Sequence, residues 1–165
     1  MATLTERDGR LQLDVVDDEI AVLRDLLGRV ADLLTDPESD PDSDATRRTP
    51  TDPVLSRLLP DGHRDDPDVA AAQRDLTETS LRLDKRADAA AVLAALPTET
   101  GTALIDDIDT WLRALNDVRL MLGVELGITE DSEPPRWVGD PRDEQLAVYF
   151  WLTQLQDYLI AAVLT

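Results

Sequence analysis

The stretch from Asp106 to Gly127, DDIDTWLRALNDVRLMLGVELG, predicts a long helix with one strongly apolar face. We expect Asp106 to cap its start and Gly127 to end it, because these residue types favour those positions. Beyond Val118 the helix is apolar on most sides, which is typical of a helix at the centre of a domain. The stripe predicted to face the core recurs at steps of three and four residues: Ile108, Trp111, Leu112, Leu115, Val118 and Leu122.

The segments before this helix predict further elements. Apolar spacing indicates one helix from about Asp18 to Leu34 and a short one from Pro53 to Leu59. Between Asp66 and Leu96 the pattern predicts two consecutive helices, the second capped by Thr77. Near the N-terminus, two alternating segments flank Asp8-Gly9, a dipeptide that suits a tight hairpin turn.

The last helix is predicted to begin at Asp140-Pro141 and to run nearly to the C-terminus. A helix that is apolar on several sides is either enclosed by its own domain or shared with a partner. We therefore expect a homodimer formed through the two C-terminal helices. One apolar stripe holds Leu146, Tyr149, Phe150, Ile160 and Leu164, a second holds Val148, Leu152, Leu155, Leu159 and Val163, and a third holds Trp151 and Tyr158.

These elements predict one domain over residues 1–165. Its class is mainly α: a compact helical domain of about five to six helices with a small N-terminal β-hairpin. A length of 165 residues with 42% hydrophobic residues fits one domain with its own core. Residues 35–52 are different, because this acidic segment contains three prolines and only Ala45 as an apolar residue. We expect it to be a flexible loop within the domain.

Charge and hydropathy restrict which partners the protein can bind and where in the cell we expect it. The chain has 35 acidic and 16 basic residues and a net charge of −19, so direct DNA binding should be weak or absent. The N-terminal sequence MATLTERDGR has no apolar signal-peptide core, and the unbroken apolar runs are too short to span a membrane. We therefore predict a cytoplasmic protein with no membrane segment.

The composition removes many kinds of chemistry. With no cysteine, the chain has no disulfide, no thiolate metal site and no cysteine nucleophile. It has one histidine, His63, and its glycines are too far apart for a phosphate-binding loop. We predict no catalytic, cofactor-binding or metal-binding residue, no cofactor, and a protein that is not an enzyme. Paired carboxylates such as Asp65-Asp66 leave open an enzyme with an oxygen-only or metal-free site.

Polar residues inside the two apolar helices are candidates for an interface. Asn116 lies between leucines on either side, so we expect a buried amide in a network with Gln154 or Gln156, with partner recognition as the alternative. Asp117 can pair with Arg113 one turn earlier. The full set of interface candidates is Trp111, Asn116, Asp117, Arg119, Trp151, Gln154 and Tyr158.

The chain has one local basic cluster, formed by Arg74, Arg82, Lys85 and Arg86. On a helix the last three share a face, which could meet nucleic acid or an acidic protein. Acidic residues within a turn of them favour a salt-bridged, solvated surface instead.

Several motifs together resemble an actinobacterial family, the domain of unknown function number 2017. The most specific segment runs from Trp111 to Asp117, continuing with Arg119-Leu120 and Leu122-Gly123. Leu59-Pro60-Asp61 with Arg64-Asp65-Asp66-Pro67 supports the resemblance. These motifs are fold signatures and not active-site motifs.

The resemblance implies a cytoplasmic, non-enzymatic helical protein. It also implies a gene that commonly lies near the gene of the Clp-protease adaptor. Some members are described as oxidative-stress transcriptional regulators that act through a sigma factor and promoter DNA under the control of a cysteine pair. This chain lacks cysteine, so that control cannot operate here. The prediction is a regulatory or protein-interaction module with a partner such as a sigma factor. The alternative is an accessory protein of the Clp-adaptor system.

Overall fold

A computed structural model of the protein describes residues 2–35, 53–59, 67–137 and 139–164, with the backbone alone for residues 56 and 67–77. The predicted mainly α class is confirmed, with five helices and a small sheet in these residues. In chain order the elements are β1 (Thr3–Arg7), β2 (Arg10–Val15), α1 (Asp17–Leu33), α2 (Pro53–Leu58), α3 (Pro67–Ala95), β3 (Gly101–Ile105), α4 (Ile108–Leu126) and α5 (Pro141–Leu164).

The predicted hairpin forms at the N-terminus. Asp8 and Gly9 take positive φ angles of 55° and 76°, as a tight turn between two strands requires. A third strand, which the sequence analysis did not predict, pairs antiparallel with β2 and places Leu11 opposite Ile105. The side chains of this strand alternate between the two faces of the sheet. Ala103 and Ile105 are buried, whereas Leu104 is exposed. Five residues between two turn-forming segments are too short a pattern to distinguish a strand from a loop.

The helix α4 lies at the centre of the fold, as predicted. It contacts α1, α2, α3 and α5, and its side chains Leu115, Val118 and Met121 are fully buried. Gly127 ends the helix in the left-handed conformation with φ of 65°. The position of the N-cap was predicted one residue too early.

The cap of α4 is Asp107, and not Asp106. Its Oδ1 accepts hydrogen bonds from the backbone N–H groups of Asp109 at 3.1 Å and Thr110 at 3.4 Å. Either aspartate suits a cap by residue type, and the backbone decides between them, since Asp107 is the residue in extended conformation.

The prediction of two helices that meet at Thr77 is wrong. Helix α3 runs unbroken through this position from Pro67 to Ala95. A threonine caps a helix only where the backbone leaves helical geometry, and here it continues. The predicted flexible acidic loop, apart from Thr35, and the segment 60–66 lie outside the described residues.

Candidate functional site

A buried ion pair joins α3 to α4. Lys85 Nζ lies 2.6 Å from Asp117 Oδ1, and the side chain of Asp117 is 2% exposed. The other oxygen, Oδ2, is buried and has no hydrogen-bond partner within the described part of the chain. Desolvation raises the pKa of Asp117 above its ordinary value, and this effect outweighs the hydrogen bond and the charge of Lys85, which lower it. The pair therefore holds a carboxylate in the interior without fully compensating its lost hydration.

A second polar contact joins α4 to α5. Arg119 Nη1 donates to Gln156 Oε1 at 2.5 Å, and Gln156 Nε2 donates to the carbonyl oxygen of Leu112 at 3.3 Å. The guanidinium of Arg119 also lies over the ring of Tyr149, 5.5 Å from its centroid. Gln156 is thus a buried link between the two helices.

Asn116 does not occupy the position predicted for it. Its side chain is exposed, and the next residue, Asp117, is the one turned inward. The pairing of Asp117 with Arg113 is also wrong, since Arg113 donates to Asp88 at 2.9 and 3.1 Å. Leucines four residues away on either side of Asn116 do not fix its face, because α4 is apolar on most of its circumference.

The cations of α3 form the ion pairs that the sequence favours, but two of them are turned inward and not solvated. Arg82 is 8% exposed and donates to Glu78 Oε1 from two nitrogens at 2.9 and 3.1 Å. Lys85 turns inward to Asp117, whereas Arg86 is exposed. Helical spacing places these cations on one face of α3. It could not show that Arg82 and Lys85 lie toward the core whereas Arg86 faces solvent. The side chain of Arg74 lies outside the described residues.

An apolar groove lies between the N-terminal strand and α5. Its volume is about 500 Å³, a size that suits part of a partner protein or a small ligand. Gln154 Nε2 donates to the Tyr158 hydroxyl at 2.7 Å along one side. None of its lining residues, all from the described chain, is charged: Ala2, Thr3, Leu4, Trp151, Gln154, Leu155, Tyr158, Ala161 and Ala162. We call this feature the β1–α5 groove.

The structure brings together only some of the predicted interface candidates. Trp151, Gln154 and Tyr158 meet in the groove, whereas Trp111 is a core residue on α4. The opposite wall, Ala2 to Leu4, was not predicted, and Gln156 binds Arg119 and not Asn116. A glutamine inside an apolar helix and the single lysine of the chain were the signals available for the two buried contacts.

The described residues also bear on metal binding and on membrane association. Among the described residues, no group of three or more His, Cys, Asp or Glu side chains could hold a metal ion. One described helix, α5, is long and apolar enough by length and composition to cross a membrane. The expectation of no membrane segment rested on unbroken apolar runs, and the apolar residues of α5 are interrupted by polar ones such as Thr153, Gln154 and Asp157. A core helix of a soluble protein can meet the same criterion, so this remains weak evidence for a span.

The family model for a domain of unknown function, DUF2017, matches residues 1–163. This chain belongs to the DUF2017 family. Proteins named oxidative stress regulator AosR in Mycobacterium tuberculosis H37Rv and in Mycobacterium bovis are each 35% identical to it over 185 aligned positions, which cover 96% of this chain and 84% of theirs. No solved structure matches the chain.

The segment on which the DUF2017 resemblance rests holds the helices together in this structure. Trp111 is buried in the core, Asp117 binds Lys85 of α3, and Arg119 binds Gln156 of α5. A Cβ at Gly123 would lie 3.6 Å from the ring of Tyr149, which is ordinary contact distance and leaves little spare room. These residues therefore tie α3, α4 and α5 together in this chain.

Proposed function

We propose that this protein is a non-enzymatic regulator that works in the cytoplasm by binding a sigma factor through the β1–α5 groove. The proposal rests on one observation: the groove is aromatic and free of charged side chains on a molecule whose net charge is −19. An uncharged groove lined by the exposed ring of Tyr158 and the partly buried ring of Trp151 is the type of surface that receives apolar side chains from a partner.

The mycobacterial relatives support a regulatory role. They are named oxidative stress regulators and align with this chain over 96% of its length. Regulation by a thiol pair cannot extend to this chain, which has no cysteine. Its own signal therefore acts by another route than thiol oxidation.

Charge favours a protein partner over DNA. Two of the four basic-cluster residues, Arg82 and Lys85, are engaged with acidic side chains at 2.9 and 2.6 Å and are turned inward. Binding to the phosphate backbone needs several free cations, and the overall field of this molecule opposes it. A sigma factor would supply the contact with promoter DNA.

Direct binding measurements test the proposal. Each sigma factor encoded by the source organism is purified and immobilised, and binding of the full chain is followed by biolayer interferometry at physiological salt. The test variant is Ala161→Arg, which adds a bulky cation to the groove without removing a core side chain. The matched control is Ala90→Arg, which makes the same change at an exposed position of α3.

We expect one sigma factor to bind the wild type and the control within twofold of each other, and the groove variant at least tenfold more weakly. Tenfold corresponds to about 1.4 kcal/mol. The molar mass of Ala161→Arg must equal that of the wild type by light scattering, so that lost binding reflects the groove. The proposal is overturned if no sigma factor binds, if both variants bind alike, or if a purified Clp adaptor binds in place of every sigma factor.

A further inference from the structure

A second feature of α5 is a row of four apolar and two polar residues that lies beside its fully buried side. The members of this feature follow one another at steps of four, three, four, three and four residues, the spacing of a helix-pairing stripe. We call it the outer stripe: Leu146, Phe150, Thr153, Asp157, Ile160 and Leu164. It is separate from the groove, with which it shares no residue.

The C-terminal half of the outer stripe is open to solvent. Ile160 is 46% exposed and Leu164 is 81% exposed, and Asp157 is exposed as well. Leu146, Phe150 and Thr153 are half-buried, and Leu146 packs against the core. The principal packing partner of α5 among the described elements is α4, on the side of the helix that holds Leu152, Leu155, Gln156 and Leu159. Exposed apolar side chains grouped on a surface helix commonly mark an interaction site.

The spacing of the outer stripe is the same in both directions. An antiparallel copy of α5 can therefore align with it so that like meets like along the whole row. In that alignment Leu164 lies opposite Leu146 and Ile160 lies opposite Phe150. Asp157, the stripe's only charged residue, lies opposite Thr153, whose side chain is neutral and donates its hydroxyl to the carbonyl oxygen of Tyr149 at 3.1 Å. The two copies of Asp157 stay apart.

Electrostatics also favours a second copy at this position. Two molecules of charge −19 repel when they approach through most of their surface. Between Gln145 and Leu164 the chain has one charged residue, although 31% of all residues are charged. Copies that meet along this helix bring few acids together. The apolar residues at one end of the stripe then lie opposite those at the other end.

The length of the helix is sufficient for a stable contact. A helix of 24 residues is about 36 Å long. Helix pairs with this spacing cross at a shallow angle of about 20°, so contact extends along most of their length. An isologous pair that also buries flanking surface can approach the roughly 800 Å² per partner of a standard interface.

We propose that two copies of this chain associate antiparallel through the outer stripe of α5, with Asp157 of each copy opposite Thr153 of the other. This inference names a second copy as the occupant of one face of α5. It does not depend on the sigma-factor proposal, which concerns the groove on another side of the helix.

The register can be tested by moving one charge. Thr153→Asp places a carboxylate opposite Asp157 twice in the dimer. Combining Thr153→Asp with Asp157→Thr exchanges the two residues and restores one acid opposite one threonine. Ser80→Asp on α3 adds the same charge at an exposed position outside the stripe. The full chain and all three variants are compared by sedimentation equilibrium, with circular dichroism and thermal melts to confirm folding.

We expect a dimer for the wild type, at least a tenfold rise in the dimer dissociation constant for Thr153→Asp, and recovery to within threefold in the exchanged variant. Ser80→Asp should stay within threefold of the wild type. A monomeric wild type at 100 μM, about the upper end of the micromolar range, overturns the proposal. So does a Thr153→Asp dimer as tight as the wild type, or an exchanged variant that stays monomeric while it is folded.

Discussion

Helices α4 and α5 are both apolar on several sides, but the fold uses them differently. Eight of the 19 residues of α4 are buried, and its neighbours are α1, α2, α3 and α5. Only four of the 24 residues of α5 are buried. The same kind of sequence thus yields a core helix in one place and a half-open surface helix in the other.

The contrast separates folding from binding. Burying an apolar side chain stabilises the protein by about 1.5–3 kcal/mol, and α4 realises this gain within the chain. The open sides of α5 hold apolar side chains that still contact water, and contact with a partner would add the same kind of gain there. The buried polar contacts also lie on α4, where Asp117 and Arg119 tie it to its neighbours.

The largest expected effect comes from truncating the core helix. Leu115→Ala should lower the free energy of unfolding by about 3 kcal/mol, because Leu115 is fully buried and its removal leaves a cavity. Urea denaturation measures the loss. Ile160→Ala on the open side of α5 is the control, and it should cost less than about 1 kcal/mol in the monomer. Equal losses would contradict the distinction between the two helices.

Breaking the buried ion pair should have the next largest effect. Lys85→Met removes the cation and leaves the carboxylate of Asp117 buried, so we expect a loss of about 2 kcal/mol in the free energy of unfolding. Adding Asp117→Leu removes the stranded charge and should recover most of that loss. If the double variant is less stable than Lys85→Met alone, the loss in Lys85→Met does not come from leaving the carboxylate of Asp117 buried without a partner.

The pH dependence of stability gives a third, smaller effect. Burial raises the pKa of Asp117 in the folded state above its ordinary value of 3.8, so the folded state binds this proton more tightly than the unfolded chain. The stabilisation is present in full below the unfolded pKa and is lost as pH rises through the folded pKa. The stability of the wild type relative to Asp117→Asn should therefore fall as pH increases from below 3.8.

Urea titrations of both proteins between about pH 3 and pH 7 measure this difference. Carboxyl groups titrate at about these pH values. Asp117→Asn is matched in size, so the other carboxylates contribute equally to both curves. A relative stability that rises with pH would mean that Lys85 stabilises the carboxylate more than burial disfavours it.

The smallest effect concerns the surface charge. Raising salt should raise the melting temperature by a few degrees, because ions screen the repulsion among the charges of a molecule at −19. Leu115→Ala should show the same increment, since screening leaves packing in the core unchanged. A melting temperature that falls with salt would indicate that attractive surface pairs such as Arg29–Glu125 dominate.

Patterns within one element were predicted well. The hairpin turn at Asp8-Gly9, the end of α4 at Gly127 and the core stripe of α4 follow from local backbone preference and helical spacing. The continuous course of α3 through Thr77 was missed, because a capping residue type signals a helix start only if the backbone departs there.

The candidate site was predicted only in part. Trp151, Gln154 and Tyr158 were identified on one helix, and the structure places them in one groove. The opposite wall, Ala2 to Leu4, could not be foreseen, because no periodicity links the first residues of a chain to its last helix. Asn116 was predicted to be buried, but Asp117 is the buried residue. The error arose because α4 is apolar on nearly every side.

The sequence by itself determined the helical class, the apolar surplus of both helices and the exclusion of thiol chemistry, since each depends on residue types and short-range spacing. Only the tertiary structure decided which apolar helix is enclosed, that Lys85 lies against Asp117, and that α5 has two open sides. These outcomes depend on which elements become neighbours across tens of residues. Neighbours are chosen by packing of the whole core and not by any one segment.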